Sequence, residues 1–218
     1  MAPGSPTNGR PRARAEAAPQ RAPPLSPVTH FLLSWAIADG AQLPARQRLT
    51  VALAGVAPDL DGLGMAVDLG ARALGRSDPD WYGRAHHVLV HGLPGALLIT
   101  VVALFALRRE AGSTASRWRL ACWLFVAIHL HLACDLLGSA GPGHQLWPIA
   151  YLSPLAATPT WTWHGQWPLD GWQNLVLSSA LLAWICVRAM RTGRSPFEVW
   201  APGLHRAFVE GLRRRTAA

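Results

Sequence analysis

The sequence predicts an all-α fold, a multi-pass membrane helical bundle. Half of its 218 residues are hydrophobic and only 15% are charged, a low share for a water-soluble domain. Three apolar segments, 88–107, 118–137 and 172–190, each approach the ~20 residues that a helix needs to cross a bilayer. Three groups of ionisable side chains lie in or beside apolar stretches: Asp59 with Asp61, His86 and His87 with His91, and His129 and His131 with Asp135. Such groups are costly in apolar surroundings, and imidazole with carboxylate is the ligand set of a divalent metal. The bundle is therefore expected to carry a metal site near one membrane face.

Residues 1–27 hold seven prolines and four arginines with no apolar core, the composition of a disordered basic tail. They lack the apolar centre of a signal peptide. A helical membrane domain is expected over 28–195. It opens with two apolar stretches, 28–38 and 49–57, each too short to span alone. They are therefore re-entrant, interfacial or parts of tilted, protein-buried helices. Pro58 disfavours helical geometry at Ala57 and should end the second stretch just ahead of the carboxylates. Asp59 and Asp61 would diverge on a helix, whereas an extended or turning segment lets both face one ion. The segments 88–107 and 118–137 are joined by a short link and should pack as an antiparallel hairpin. The connection 139–171 holds Trp147, Trp161, Trp163 and Trp167, which suit an interfacial belt. The third span follows at 172–190, and 196–218 is expected to be a basic cytoplasmic tail.

The net charge is +8 and every basic residue is an arginine. These arginines sit beside apolar segments rather than along one polar face, which favours the flanks of membrane helices over a nucleic-acid surface. Four fall in 108–119 and six after Met190, while 139–171 has none. The positive-inside rule then puts the first two regions in the cytoplasm and 139–171 outside. Five arginines in 46–84 do not fit that scheme. Cys122, Cys134 and Cys186 are far apart in apolar runs and are expected to be packing residues, not a disulfide framework.

Depth links the clusters. On a hairpin of 88–107 with 118–137, His91 and Asp135 lie roughly 5–6 Å from the outer end and His131 one turn deeper, at about 1.5 Å per residue. His131 and Asp135 are spaced i, i+4 and share a helix face, as do His87 and His91. His129 points away from His131, which suits a satisfied core histidine. An Asp–His hydrogen bond without metal is the main competitor for His131 and Asp135.

The ordered motifs Thr29-His30, Ala54-Gly55-Val56-Ala57-Pro58-Asp59-Leu60-Asp61, paired His86 and His91, His131 with Asp135, and Trp147-Pro148 resemble the bacterial membrane-bound metal-dependent hydrolases. These are also described as LexA-binding, inner-membrane-associated hydrolases. The resemblance covers roughly residues 28–150. It implies a multi-pass protein of the bacterial inner membrane and a regulatory protein partner. The family's run of HRGxTHS type is matched at both outer histidines, but not at the arginine, glycine, threonine and serine. More distantly, the motifs are similar to those of zinc-dependent phospholipase C enzymes.

Together the residues and the resemblance give seven candidate ligands: His30, Asp59, Asp61, His86, His91, His131 and Asp135. That is more than one tetrahedral zinc can use, so one or two ions are expected, zinc or else manganese. Asp59, Asp61 and His86 are the candidate catalytic groups, with His87, His129, His144 and Trp147 around the ligands. The expected function is a metal-dependent hydrolase of a phosphoester or other ester on a lipid-linked or amphipathic substrate. One alternative is a non-catalytic membrane protein whose metal site is structural or sensory and which docks a regulatory partner. A cation transporter is disfavoured, because 99–107 and 120–127 carry no ionisable residue to continue a path.

Overall fold

The computed structural model describes residues 26–76, 79–86, 88–110 and 112–217. The expected disordered tail therefore lies, but for its last two residues, outside the described residues. The chain is mostly helical: α1 (Ser26–Gly40), α2 (Ala45–Ala54), a 3-10 helix (Ala57–Leu63), α3 (Gly64–Ala73), α4 (Trp81–Ala85), α5 (Leu93–Ala106), α6 (Thr114–Gly138), α7 (Trp172–Thr192) and α8 (Pro202–Ala217). Between α6 and α7 two short antiparallel strands, β1 (Ile149–Ala150) and β2 (Thr160–Trp161), pair with Ile149 opposite Trp161.

Local chemistry sets the boundaries. Pro44 precedes α2, and Pro58 occupies the first turn of the 3-10 helix, where its missing N–H costs nothing. The Ser113 hydroxyl accepts the Ser116 N–H and caps α6. Gly193, left-handed at φ 70°, closes α7. Two helices, α6 and α7, are long and apolar enough to cross a membrane, and α2 with the 3-10 helix and α3 makes a third only as a pair bent by 45°.

The expected span 88–107 is corrected. Its helix is the 14-residue α5, about 21 Å long and short of a bilayer's hydrocarbon thickness. Gly92 is extended, the Leu93 N–H is donated to the Tyr151 carbonyl, and Pro94 starts the first turn. His91 therefore stands on non-helical chain, and its expected i, i+4 partner His87 lies outside the described residues. Within the basic stretch 196–218, Pro202–Ala217 is helical.

Small residues let α1, α2, α5 and α6 approach closely: Ala38, Ala54, Ala96, Ala103 and Ala127 pack with Leu43, Val51, Leu120, Leu124 and Ile128. A second cluster joins Trp35, Ala52 and Ile185 with Phe31, Leu32 and Phe208, tying α7 and α8 to the same core. Outward faces are apolar as well. Leu97, Leu98, Val101 and Phe105 on α5, and Leu175, Val176 and Leu182 on α7, are all more than half exposed. A stable helix with apolar residues facing away from the core is built for a lipid surrounding.

One end of the helices is closed by charge. Asp39, fully buried near the end of α1, accepts from Arg188 Nε at 2.7 Å and from Arg194 Nη1 at 3.3 Å. Buried Arg48 approaches the same carboxylate at 4.0 Å and bonds Glu198. Arg46 pairs with Glu110, so the start of α2 and the α5–α6 turn lie at this same end. Two of the five arginines that did not fit the charge scheme, Arg46 and Arg48, thus belong to the arginine-rich end.

Removing Asp39 leaves Arg48 and Arg188 facing one another without their shared carboxylate. Asp39→Ala is expected to cost about 3 kcal/mol, because breaking one partner of a buried ion network strands the others. Thermal melting of detergent-purified protein measures this, and an unchanged melting temperature would show that the network adds nothing.

Candidate metal centre

At the opposite end, four segments deliver histidine or aspartate to one place. The first turns of α1 bring His30. The 3-10 helix brings Asp59 and Asp61, the extended link before α5 brings His91 with His86 behind it, and the last turns of α6 bring His131 and Asp135. His30, Asp61, His91, His131 and Asp135 are all buried. On α6, His131 lies about 10 Å and Asp135 about 4.5 Å from the Gly138 end.

Hydrogen bonds fix the ring orientations. His131 Nδ1 lies 2.8 Å from the Gly55 carbonyl, which can only accept, so this nitrogen carries the proton. Asp61 holds two rings at once, with Oδ1 2.8 Å from His86 Nδ1 and Oδ2 2.9 Å from His91 Nδ1. Neutral His91 and His131 rings in these tautomers aim unprotonated Nε2 atoms inward. Those two nitrogens are 3.2 Å apart. Asp135 Oδ2 is 3.1 Å from His131 Nε2 and 3.5 Å from His91 Nε2. Asp59 Oδ1 completes the group at 3.7 Å from His131 Nε2 and 3.9 Å from His91 Nε2.

Four electron-rich atoms this close repel one another unless positive charge sits among them. Ligands about 2.0–2.1 Å from a tetrahedral zinc are about 3.3 Å apart, close to the three shortest separations here. Asp59 Oδ2 and Asp135 Oδ2 accept no hydrogen bond among the described residues, although both are buried atoms. Donor type, spacing and unsatisfied oxygens all fit a divalent cation held by His91, His131 and Asp135, with Asp59 beside it. His30 extends the group: its Nε2 lies 3.3 Å from Asp135 Oδ1, and its ring packs on that of His131 at 3.9 Å. His30 with Asp59 and His131, and Asp61 with His86 and His91, also form ligand-sized groups that could serve a second ion.

The seven candidate ligands thus converge, but in unlike roles. Asp59 and Asp61 do not share a partner atom: Asp59 faces Nε2 of His91, and Asp61 holds its Nδ1. Of the residues expected around the ligands, Trp147 approaches the His86 ring at 5.8 Å. His129 turns away, with Nδ1 donating to the Phe125 carbonyl and Nε2 2.9 Å from the Tyr151 hydroxyl. His144 is exposed in the turn Pro142–His144 and belongs to none of the ligand-sized groups. His87 lies outside the described residues.

Sequence reasoning missed three supports. Gln166, buried in the 139–171 connection, donates to the Asp135 carbonyl at 2.8 Å and accepts the Trp147 N–H at 2.8 Å, clamping the loop onto the end of α6. Tyr82 stacks on His86 at 4.6 Å. Gly55 supplies the carbonyl for His131 where α1 and α2 cross too closely for a side chain. A Cβ there would lie 2.6 Å from Ser34 Cβ. Gln166 and Gly55 act through backbone carbonyls distant in sequence, which no periodicity marks, whereas Tyr82 stands four residues before the ring it stacks on.

A helical protein with apolar outward faces and a buried histidine–aspartate centre at one end belongs to the class of helical membrane proteins. The chain belongs to the YdjM inner membrane protein family, whose model matches residues 25–201. No curated protein and no solved structure matches it.

Gly55→Ala should push Ser34 and displace the carbonyl that orients His131, costing about 1–3 kcal/mol as an overpacking change. Ser34→Gly in the same chain should restore most of that loss in a thermal melt. A double variant no more stable than Gly55→Ala alone would place the cost elsewhere.

Proposed function

We propose that this protein is a multi-pass, metal-dependent membrane hydrolase that acts on an ester, best a phosphoester, of a lipid-linked or amphipathic substrate. The observation that carries the reading is the convergence of His91 Nε2, His131 Nε2 and Asp135 Oδ2 within ligand distance of one another, with Asp59 Oδ1 beside them. In this reading His91, His131 and Asp135 would hold a zinc or manganese ion, with His30 and Asp59 beside it. A divalent ion in such a site polarises the ester and lowers the pKa of bound water.

The chain's own groups then divide the work. Asp59 is the more open of the two 3-10 carboxylates, with 18% of its side chain exposed and one oxygen free of hydrogen bonds. It takes the proton from the attacking water. His86, at the rim and backed by Asp61, returns a proton to the leaving oxygen. Asp61, with both oxygens engaged by imidazole N–H groups, is a positioning residue. A bilayer substrate is supported by the surroundings of Asp59. Leu60, Leu63, Val67 and Trp81 are all more than half exposed, so the open side of the site is apolar. A lipid ester can approach there with its tails still in hydrocarbon.

Elemental analysis beside turnover on a phosphoester and carboxylester panel tests the reading. Asp135→Asn should lose both metal and turnover, because an amide is a poor ligand for zinc or manganese. Asp61→Asn should keep the site but weaken metal affinity by about 10–100-fold, the usual effect of losing a group that orients a ligand. Normal metal content in Asp135→Asn would remove Asp135 from the ligand set. Metal bound by wild type without hydrolysis of any ester would replace this reading with a non-catalytic metal site that docks a regulatory partner.

The reading also puts the centre on the extracytoplasmic side, opposite the arginine-rich end. Ala156, in the 139–171 connection, is exposed and suits a thiol probe. Ala156→Cys, in a chain with Cys122, Cys134 and Cys186 replaced by alanine, should react with an impermeant thiol reagent in intact spheroplasts. Labelling only after membrane disruption would reverse the orientation.

A further inference from the structure

We propose that α8 docks on an anionic phospholipid leaflet, lying in the headgroup layer beside the arginine-rich end of α7. The inference rests on α7 being a membrane span and is independent of the metal chemistry. The segment also lies beyond residues 25–201, where the family match ends.

The fold holds α8 at the membrane surface. After Gly193 the chain turns, and α8 packs back on the span it has just left. Phe208 joins the cluster of Trp35, Ala52 and Ile185, Val209 is buried, and Arg213 Nε donates to the Met190 carbonyl at 3.0 Å. His205, Phe208, Val209 and Leu212 follow an i, i+3, i+4, i+7 pattern, and this is the face turned to the protein. The other face is exposed and carries Leu204, Arg206, Ala207, Gly211, Arg214 and Arg215.

That outer face has the composition of an interfacial helix. The segment Pro202–Ala217 has four arginines against one glutamate, and Glu210 pairs with Arg214 at 3.1 Å, leaving a net positive surface. Trp200, 58% exposed, and Leu204, 50% exposed, stand beside the arginines. Tryptophan and leucine enter the headgroup–acyl boundary while arginine stays with the phosphates. Exposed Arg191 on α7 and Arg108, Arg109 and Arg117 around the α5–α6 turn extend the same charge along this end. An anionic lipid leaflet complements such a rim, and each arginine near it favours binding by roughly fivefold.

Hydrogen–deuterium exchange on the full-length protein tests this in nanodiscs of phosphatidylcholine alone and of phosphatidylcholine mixed with phosphatidylglycerol. Residues 202–217 should exchange about tenfold more slowly in the anionic discs. Arg206→Gln, Arg214→Gln and Arg215→Gln together should abolish that difference while α6 exchange stays the same. Raised salt on the wild type should abolish it as well, with no substitution involved. Equal exchange of 202–217 in the two lipids overturns the proposal. So does slowing that survives the triple substitution or raised salt.

Discussion

Burying two aspartates and three histidines at one end of an apolar helical protein, with Asp59 and His86 half-buried beside them, is tolerable only because most of their polar atoms are matched. The matching begins with acceptors for imidazole N–H groups. Gly55 takes the proton of His131, and Asp61 takes those of His86 and His91. Once those bonds are made, the tautomers are set and the far nitrogens of His91 and His131 must point at each other. Asp135 and Asp59 then add negative charge to the same spot. The network is complete on its outside, while Asp59 Oδ2 and Asp135 Oδ2 within it accept no hydrogen bond among the described residues. A carboxylate in such surroundings would otherwise cost ~2.5–3.5 kcal/mol at a helix centre.

The chain answers the same problem differently at its other end. Asp39 is as deeply buried as Asp135, yet Arg188, Arg194 and Arg48 meet it directly, and Glu198 balances Arg48. Guanidinium groups bring their own positive charge and several donors, so that end is satisfied by protein atoms alone. At the histidine end no arginine or lysine joins the ligand groups among the described residues. Histidine supplies lone pairs rather than fixed charge, so the two ends differ in whether an external cation has a place. Between them lie only the alanine-rich contacts of α1, α2, α5 and α6.

Much of this was legible in the sequence, and the reasons differ by element. The long helices α6 and α7 follow from unbroken apolar runs. The i, i+4 pair His131 and Asp135 shares a face because the helix there is regular. Residues 88–107 misled because their apolar content continues through Gly92 and Pro94, where a backbone bond from Leu93 to distant Tyr151 takes over from the helix. The division of labour between Asp59 and Asp61 was not readable, because a two-residue spacing says nothing about which ring nitrogen each will face. Gln166 and Gly55 were hidden for a related reason, since each bond joins a side chain to a backbone carbonyl 30 or more residues away.

The site is rigid on one side and open on the other. His131, His91 and Asp61 are packed under α1, α2, α6 and the loop that Gln166 clamps, so three of the rings and carboxylates have no room to move. Asp59 and His86 stand on the remaining side, where the 3-10 helix continues into α3 with Leu60, Leu63, Val67 and Leu74 exposed. A soluble protein would not line the mouth of a charged site with leucine and valine, because water would strip the benefit of burying either. In a bilayer the same residues keep the chain in hydrocarbon while the carboxylate behind them meets a polar headgroup. On the proposed reading this division suits a polar ester on an apolar tail, matched by geometry rather than by a specific contact.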